Sequence, residues 1–395
     1  MLRPFNLRGL RSDAAEIVYL SPDFIARQGL KTFKRGDLAF ARVGDVGCGV
    51  VIQAEVTISP NVIIASLKQG TINPFFATVF FNTRFGRLQL EGAIKAVAQP
   101  TISTEIIKEL RLPVFSDAFQ MAIQQSFINS EQLQNESKRL STQAEQTLLR
   151  ALDLVGWQPP EPLTYQRKAS DAFAAERFDA EYFHPSKQAA LNLLASFPGI
   201  TVGEMFRPIR DLWQPDTACA TQLVRNYDLT DALSPFIDAT KHPILPEEIS
   251  STKKRFQKGD IIVSRLRSYL KEIAVVLDES DLPMVGSTEF IVLRPKRQSI
   301  RIEVLLVYLR SMLPQLIFKW SQDGSNHPRF DEKELLNLRV PDVIRSHEEE
   351  IFAMVHSAIG ARKQAHALLE RAKQAVEVAI EECEAAGLEI LNGGI

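Results

Sequence analysis

Apolar and β-branched positions alternate with polar ones through residues 33–58, where Val43, Val50, Val51, Ile52, Val56 and Ile58 are broken by Gly44, Gly47 and Gly49. Alternation of this kind marks half-buried strands, so the stretch predicts a twisted, bulged sheet. The period then lengthens. Residues 74–83 read as a short apolar helix opening on Pro74, and Ser103 followed by Ile106, Ile107 and Leu110 gives a cap and then helical spacing. The same succession returns at 302–311 and 331–338, with Asp331 as the cap and Glu334 in the capping-box position.

Two longer stretches carry a heptad pattern. Residues 118–154 hold neither proline nor glycine, and Ser126, Leu133, Leu140 and Thr147 interleave with Ile123, Ser130, Ser137, Ala144 and Ala151. Over 347–383, Ile351, Ala358, Ala365, Ala372 and Ala379 recur as one seam, with Met354, Ala361, Leu368 and Ala375 as the second. Small residues on both seams let two helices approach closely, and a repeat of about 3.5 residues favours supercoiling. Such helices can dimerise with another molecule. Because both lie in one chain and each ends a repeat, pairing inside the chain is expected.

The chain says the same thing twice. Phe33-Lys34-Arg35-Gly36-Asp37-Leu38 returns as Phe256-Gln257-Lys258-Gly259-Asp260-Ile261, and each copy leads through an apolar strand into an arginine, Arg42 or Arg265. Farther on, Ile72 to Phe76, Pro100 to Ile102 and Leu110 to Pro113 fall opposite Ile300 to Val304, Pro328 to Phe330 and Leu338 to Pro341, all at one offset. Two like modules, each followed by a like helix, are organised to hold two similar surfaces at a set separation. Between them, residues 155–162, with Pro159, Pro160 and Pro162, read as a stiff extended linker.

At 395 residues the chain has room for two to three domains, and 24% charged with 45% apolar residues is ordinary for globular protein. Cys48, Cys219 and Cys383 stand apart from one another and from the histidines, which excludes a disulfide framework or zinc spacing and points to a reducing cytosol. The start reads as neither a signal peptide nor a membrane span, so a soluble, cytoplasmic protein is expected. A net charge of −2 means that any nucleic-acid surface must arise from local clustering.

Several motifs imitate catalytic sites. Asn73-Pro74-Phe75-Phe76 is close to the loop with which amino-methyltransferases hold a flipped base, but it lacks the second proline and reads better as a helix start. Gly44 to Gly49 has the glycines of a phosphate cradle, yet strand-like sequence follows it where a helix would be needed, so a glycine-rich hairpin or bulge is expected. Glu348-Glu349-Glu350 after Asp342 is explained by the helix dipole better than by a magnesium cluster. The six histidines form no i, i+4 ligand pair, and no nucleophile turn occurs. No catalytic or metal-binding residue emerges.

The cations are better organised. Lys253, Lys254, Arg255, Lys258, Arg265 and Arg267 lie in a short span with Tyr269 among them and Asp260 as the acid. A solvated face and a surface for phosphate or base contact both fit such a run. The first module has a thinner version in Lys34, Arg35 and Arg42, followed by Arg84, Arg87 and Lys95. The loop Gly324 to Arg329, with Asn326, His327 and Arg329, matches residues 96–101 with Gln99. Its side chains suit adenine or guanine edges in the major groove, or else form a polar turn before a helix.

With the stretch Glu176-Arg177-Phe178-Asp179-Ala180-Glu181-Tyr182-Phe183-His184-Pro185, the two Gly-Asp strands, Gly324 to Phe330 and the long helices, the whole chain resembles the DNA-specificity subunit of type I restriction–modification systems. The resemblance implies an α+β fold: two target-recognition domains, each a twisted β-sheet with short helices, separated by two long antiparallel coiled-coil helices. It places the first recognition domain at 1–114, spacer helices at 115–155 and 344–386, the proline-rich linker at 156–175 and the second recognition domain at 176–343. It further implies a non-catalytic subunit that reads a split site in double-stranded DNA and docks adenine-N6 methyltransferase and restriction or translocase subunits, with S-adenosylmethionine, ATP and magnesium used by those partners. One departure stands out. The first module has nothing that answers Arg177 to Pro185 and is short at its amino end, so an upstream start, a truncated gene and completion by a partner all stay open. A recognition adaptor of another defence methyltransferase system, or the recognition half of a fused methyltransferase–nuclease, are the alternatives.

Overall fold

The computed structural model describes residues 1–8, 10–12, 18–43, 49–68, 70, 72–94, 101–217 and 221–393. The chain divides into two units, Met1–Asn135 with Ala361–Ile395 and Glu136–Gly360. The expected glycine-rich hairpin at 44–48 lies outside the described residues.

In the first unit the strand Leu38–Ala41 is central, flanked by Gly49–Val51 and Val62–Ala65, both antiparallel to it. All four of its residues are buried. Leu38 and Phe40 join a core with Phe76, Val79, Phe80 and Leu90, whereas Ala39 and Ala41 face Leu2, Leu7, Val50 and Ile52. Because side chains alternate between faces, a strand covered on both sides must be apolar throughout. The expected helices form at Pro74–Phe81, where Asn73 accepts from the Phe75 and Phe76 amides, and at Thr104–Glu109, capped by Ser103. Asn73-Pro74 is thus a helix start.

The second unit repeats this frame with more strands. Ile261–Ser264 lies between Ile273–Val275 and Phe290–Pro295, and Phe206–Ile209 closes the sheet. A second sheet runs Leu212–Trp213, Lys253–Phe256, Met284–Gly286, Arg225–Tyr227, its last pair parallel. Helices Ile302–Arg310, Met312–Trp320 and Glu332–Leu336 follow.

The repeat holds to single-residue register. Leu38 pairs with Ala65 and Ala39 with Ile64, as Ile261 pairs with Leu293 and Ile262 with Val292. Phe33 opposite Val56 is matched by Phe256 opposite Met284. The shared Gly-Asp is a turn. Gly36 and Gly259 have φ of 97° and 88°, a region open to glycine, and the aspartate that follows accepts from the amide three residues earlier, Lys34 at 3.0 Å and Gln257 at 2.9 Å.

The long helices span Asp117–Ala151 and Glu348–Glu381. Within the first unit, Ser116 meets Glu384 and the buried Ser130 hydroxyl donates to the Ala365 carbonyl at 2.6 Å, so the segments run antiparallel. Phe119, Ile123 and Phe127 pack there with Leu369, Ala372, Ala375 and Val376. Within the second unit, Ala144, Leu148 and Leu152 share a core with Ile351, Val355 and Ile359. One expected seam of each helix is buried, Ile123 to Ala144 and Ile351 to Ala379. The other seam is shifted in part. Thr147 and Ala375 are buried as expected, whereas Phe127, Val355 and Leu369 are buried in place of the half-covered Ser126, Met354 and Leu368, as the 3.6-residue turn drifts off a strict heptad. A second correction concerns Glu334. It lies 3.4 Å from the Tyr182 hydroxyl and 3.7 Å from Lys187, so tertiary partners take it from the capping box, while Asp331 still caps the Lys333 amide.

Candidate nucleic-acid interface

In the second unit two loops are sewn together beyond the end of the Ile261–Ser264 strand. Phe330 donates its amide to the Arg265 carbonyl at 3.1 Å, the Arg267 amide donates to Pro328 at 2.9 Å, and Leu266 bridges Arg329. Arg267 and Lys271 both adopt left-handed φ, at 48° and 53°, around the single turn Ser268–Leu270. The other loop folds back on itself through paired Asp323–Arg329 hydrogen bonds, with Gly324 at φ 91°. Phe330 anchors it, buried and stacked on Phe318 at 4.4 Å. This brings Arg265, Arg267, Tyr269, Asn326, His327 and Arg329 together. Tyr269 is exposed, as are Asn326 and His327, and the Arg267 guanidinium lies 3.3 Å from both the Asn326 carbonyl and the His327 Nδ1.

A carboxylate organises the arginines. Glu289 accepts from Arg265 Nε at 2.9 Å and from Arg329 Nε and Nη2 at 2.7–3.0 Å. The Arg329 hydrogen bonds, reinforced by Arg265 and opposed by partial burial, hold its carboxyl below the usual range. On the strand Lys253–Phe256, Lys254 is half-buried and donates to the Phe290 carbonyl at 2.6 Å, and burial lowers its ammonium pKa. Arg255 is exposed, 3.9 Å from Asp211, and Lys258 is exposed, 3.8 Å from Glu279, while Lys253 is partly buried on the same strand.

Behind the loops stands a brace built on the Arg177 to Pro185 stretch together with Lys187 and Trp320. Arg177 donates to Asp179 at 2.6 Å and to the Gln322 carbonyl at 3.2 Å, and its guanidinium lies 4.8 Å from the Tyr182 ring centre. Lys187 sits against the same ring at 3.4 Å, its ammonium pKa lowered by burial against the pull of Glu334. His184 stacks on Trp320 at 3.8 Å. Sequence reasoning missed Glu289. A single glutamate between two strands carries no local signal.

In the first unit the frame recurs with different side chains. Arg42 donates its amide to Asn61 at 2.8 Å and accepts from Ile102 at 3.0 Å, and Val43 bridges Thr101, matching Arg265 with Glu289, Phe330 and the Leu266–Arg329 bridge. Asn61 stands where the second unit has Glu289, and Thr101 where it has Arg329. Lys34, Arg35 and Arg42 are exposed. Arg84 faces Glu377, at 4.0 Å, and Glu381, and Arg87 is exposed on the helix Arg84–Gly92. Lys95 and Gln99 lie outside the described residues.

The arrangement offers fixed guanidinium donors, an amide, an imidazole and a phenol on one surface, a set suited to hydrogen bonding with base edges and phosphates. Among the described residues no cluster of three His, Cys, Asp or Glu is placed to hold a metal, and no helix is long and apolar enough to cross a membrane. No protein-family model and no curated protein matches the chain. Among solved structures it is similar to three of the type I restriction–modification kind. The S subunit from M. genitalium shares 15% identity at a TM-score of 0.40, over 87% of this chain and 82% of that one. The HsdS subunit from Thermoanaerobacter tengcongensis shares 14% at 0.30, over 92% and 83%. A chain from a structure concerned with complex assembly and conformational transition of the type I R-M system shares 15% at 0.29, over 92% and 84%. All three TM-scores are below one half.

Proposed function

We propose that the chain is a non-catalytic DNA-specificity subunit of the type I restriction–modification kind. Each module reads one half of a bipartite double-stranded site, and the paired long helices act as spacer and as docking surface for adenine-N6 methyltransferase subunits, with restriction or translocase subunits joining them in the cytoplasm. S-adenosylmethionine, ATP and magnesium belong to those partners. The domain limits at 1–114, 115–155, 156–175, 176–343 and 344–386 are part of this proposal.

The observation that carries it is the repeated loop pair. Both modules bring a basic strand end and a second loop together through the same backbone hydrogen bonds, Ile102 to Arg42 and Phe330 to Arg265, while the side chains displayed there differ. One frame with two sets of side chains is what reading two different half-sites requires. The cations of the second module, Lys253, Lys254, Arg255, Lys258 and Arg267, supply phosphate contact, and Arg265, Asn326, His327, Arg329 and Tyr269 base contact. In the first module Lys34, Arg35, Arg42, Arg84, Arg87, Lys95 and Gln99 have the corresponding roles.

Co-purification with the methyltransferase encoded beside it, followed by mapping of methylated adenines, tests the reading. A split motif that disappears when the chain is omitted is expected. A methyltransferase that marks the same motif alone would refute it.

A further inference from the structure

We propose that Glu289 is a specificity-determining positioning residue, pinning Arg265 and Arg329 side by side as a preset donor pair for a guanine edge in the half-site read by the second module. This rests on the DNA-reading function above and adds to it the residue and the base.

The donor count supports the inference. A guanidinium carries five N–H groups. Arg329 commits Nε to both oxygens of Glu289, one Nη2 hydrogen to Oε1 at 2.7 Å and one Nη1 hydrogen to the His327 carbonyl at 2.8 Å. One N–H remains on each terminal nitrogen, the fork that matches the paired O6 and N7 acceptors of guanine. Arg265 is held through Nε alone, at 2.9 Å, with both terminal nitrogens left over. The two arginine side chains are 42% and 41% exposed and the carboxylate 19%, so the anchor is sheltered and the donors are accessible.

The charge arrangement favours a base over a phosphate. One carboxylate between two guanidiniums cancels half their charge, which weakens attraction to phosphate and leaves their direction fixed. Flexible exposed lysines would serve a phosphate as well, since a phosphate needs charge more than orientation. The neighbours Asn326 and His327 are exposed on the same loop and have base-reading chemistry. The trio is confined to this module, because Asn61 and Thr101 occupy the matching positions of the other.

Selection from a randomised duplex library by the full chain, together with its affinity for a non-specific duplex at low salt, tests the proposal. The unaltered chain should select a guanine in one half-site. Glu289→Gln should bind the non-specific duplex severalfold more tightly, because a negative charge is removed, while its preference for that guanine falls about tenfold or more. Arg329→Gln should lose the same preference and bind the non-specific duplex more weakly. Simple misfolding would not give these opposite signs. A Glu289→Gln variant that keeps the guanine preference overturns the proposal, as does an Arg329→Gln variant that keeps it should Glu289→Gln not fold. A selected site without guanine overturns the proposal and leaves the DNA-reading function standing. No selected site at all overturns both.

Discussion

Asp37 and Asp260 occupy the same turn, yet replacing each by alanine should destabilise its unit by very different amounts. Both accept a backbone amide from three residues back, at 3.0 and 2.9 Å. Asp260 is fully buried and also takes two hydrogen bonds from Arg294, at 2.7 and 2.8 Å; Ser66 holds the matching position of the first module. Removing one partner of a buried ion pair costs about 3–5 kcal/mol because the other charge is left uncompensated. Arg294 is 25% exposed, so water screens part of that loss and the lower end, about 3 kcal/mol, is expected. Asp37→Ala loses one hydrogen bond in a partly exposed turn, about 1 kcal/mol. The three tryptophans, Trp157, Trp213 and Trp320, all lie in the second unit, so their fluorescence in urea reports Asp260→Ala without interference from the first. Amide exchange over Leu38–Ala41 and Ile261–Ser264 compares the two sites on one scale. Equal losses of protection in the two strands would mean that the turn and not the ion pair sets the cost. Asp260→Asn with Arg294→Met should recover part of the stability, because no charge is then stranded.

Four further outcomes are expected. Ala365→Glu with Ala372→Glu, both at fully buried positions, should strand two carboxylates in the helix pair of the first unit, cost several kcal/mol and abolish slow amide exchange across 361–381. Because the Glu289 pKa is lowered by folding, its contribution is present above the ordinary glutamate pKa near 4.5 and is lost as pH falls through its lower folded value; carboxyl carbon shifts should titrate below 4.5, and a midpoint at or above that value would contradict the clamp. Under the spacer reading, seven residues added at matched levels of both long helices lengthen the pair by about 10 Å, and the gap between methylated half-sites should grow by about three base pairs; an unchanged gap in a folded variant would remove the helices as the ruler. Asn61→Glu with Thr101→Arg should leave melting of the first unit nearly unchanged, within about 0.5 kcal/mol, and give its half-site a guanine preference in library selection.

Much of the fold is legible because its signals are local and repeated. The strands that follow the two Gly-Asp pairs, the helix start at Asn73-Pro74, the Ser103 cap and the small-residue seam Ile351 to Ala379 each follow from spacing and conformational preference, and each forms. Where the reading slips, a tertiary choice decides. Val355 and Leu369 are buried in place of Met354 and Leu368 because only the packed helix reveals which neighbouring position turns inward, and Glu334 is drawn from its cap role by Tyr182 and Lys187. At the candidate site, Arg265 and Arg329 stand out as cations, but Glu289 lies far from both in local sequence. Sheet register brings Arg265 to Glu289, and the loop pair brings Arg329 to both.

That same register explains why the exchange of Asn61 and Thr101 should be tolerated. Arg42 to Asn61 and Ile102 to Arg42 in one unit, and Arg265 to Glu289 and Phe330 to Arg265 in the other, are bonds between main-chain N–H and C=O groups, which every residue but proline supplies in full. The frame of the loop pair is thus indifferent to the side chains it displays. Asn61 and Thr101 are exposed, so replacing them removes no core packing, and a glutamate placed beside Arg42 starts from the backbone position that orients Glu289 toward Arg265. If the graft folds but the new arginine stays unpaired, side-chain geometry beyond the shared frame must hold the clamp. The brace built on Arg177, Tyr182 and Lys187 would then be the part to transfer next.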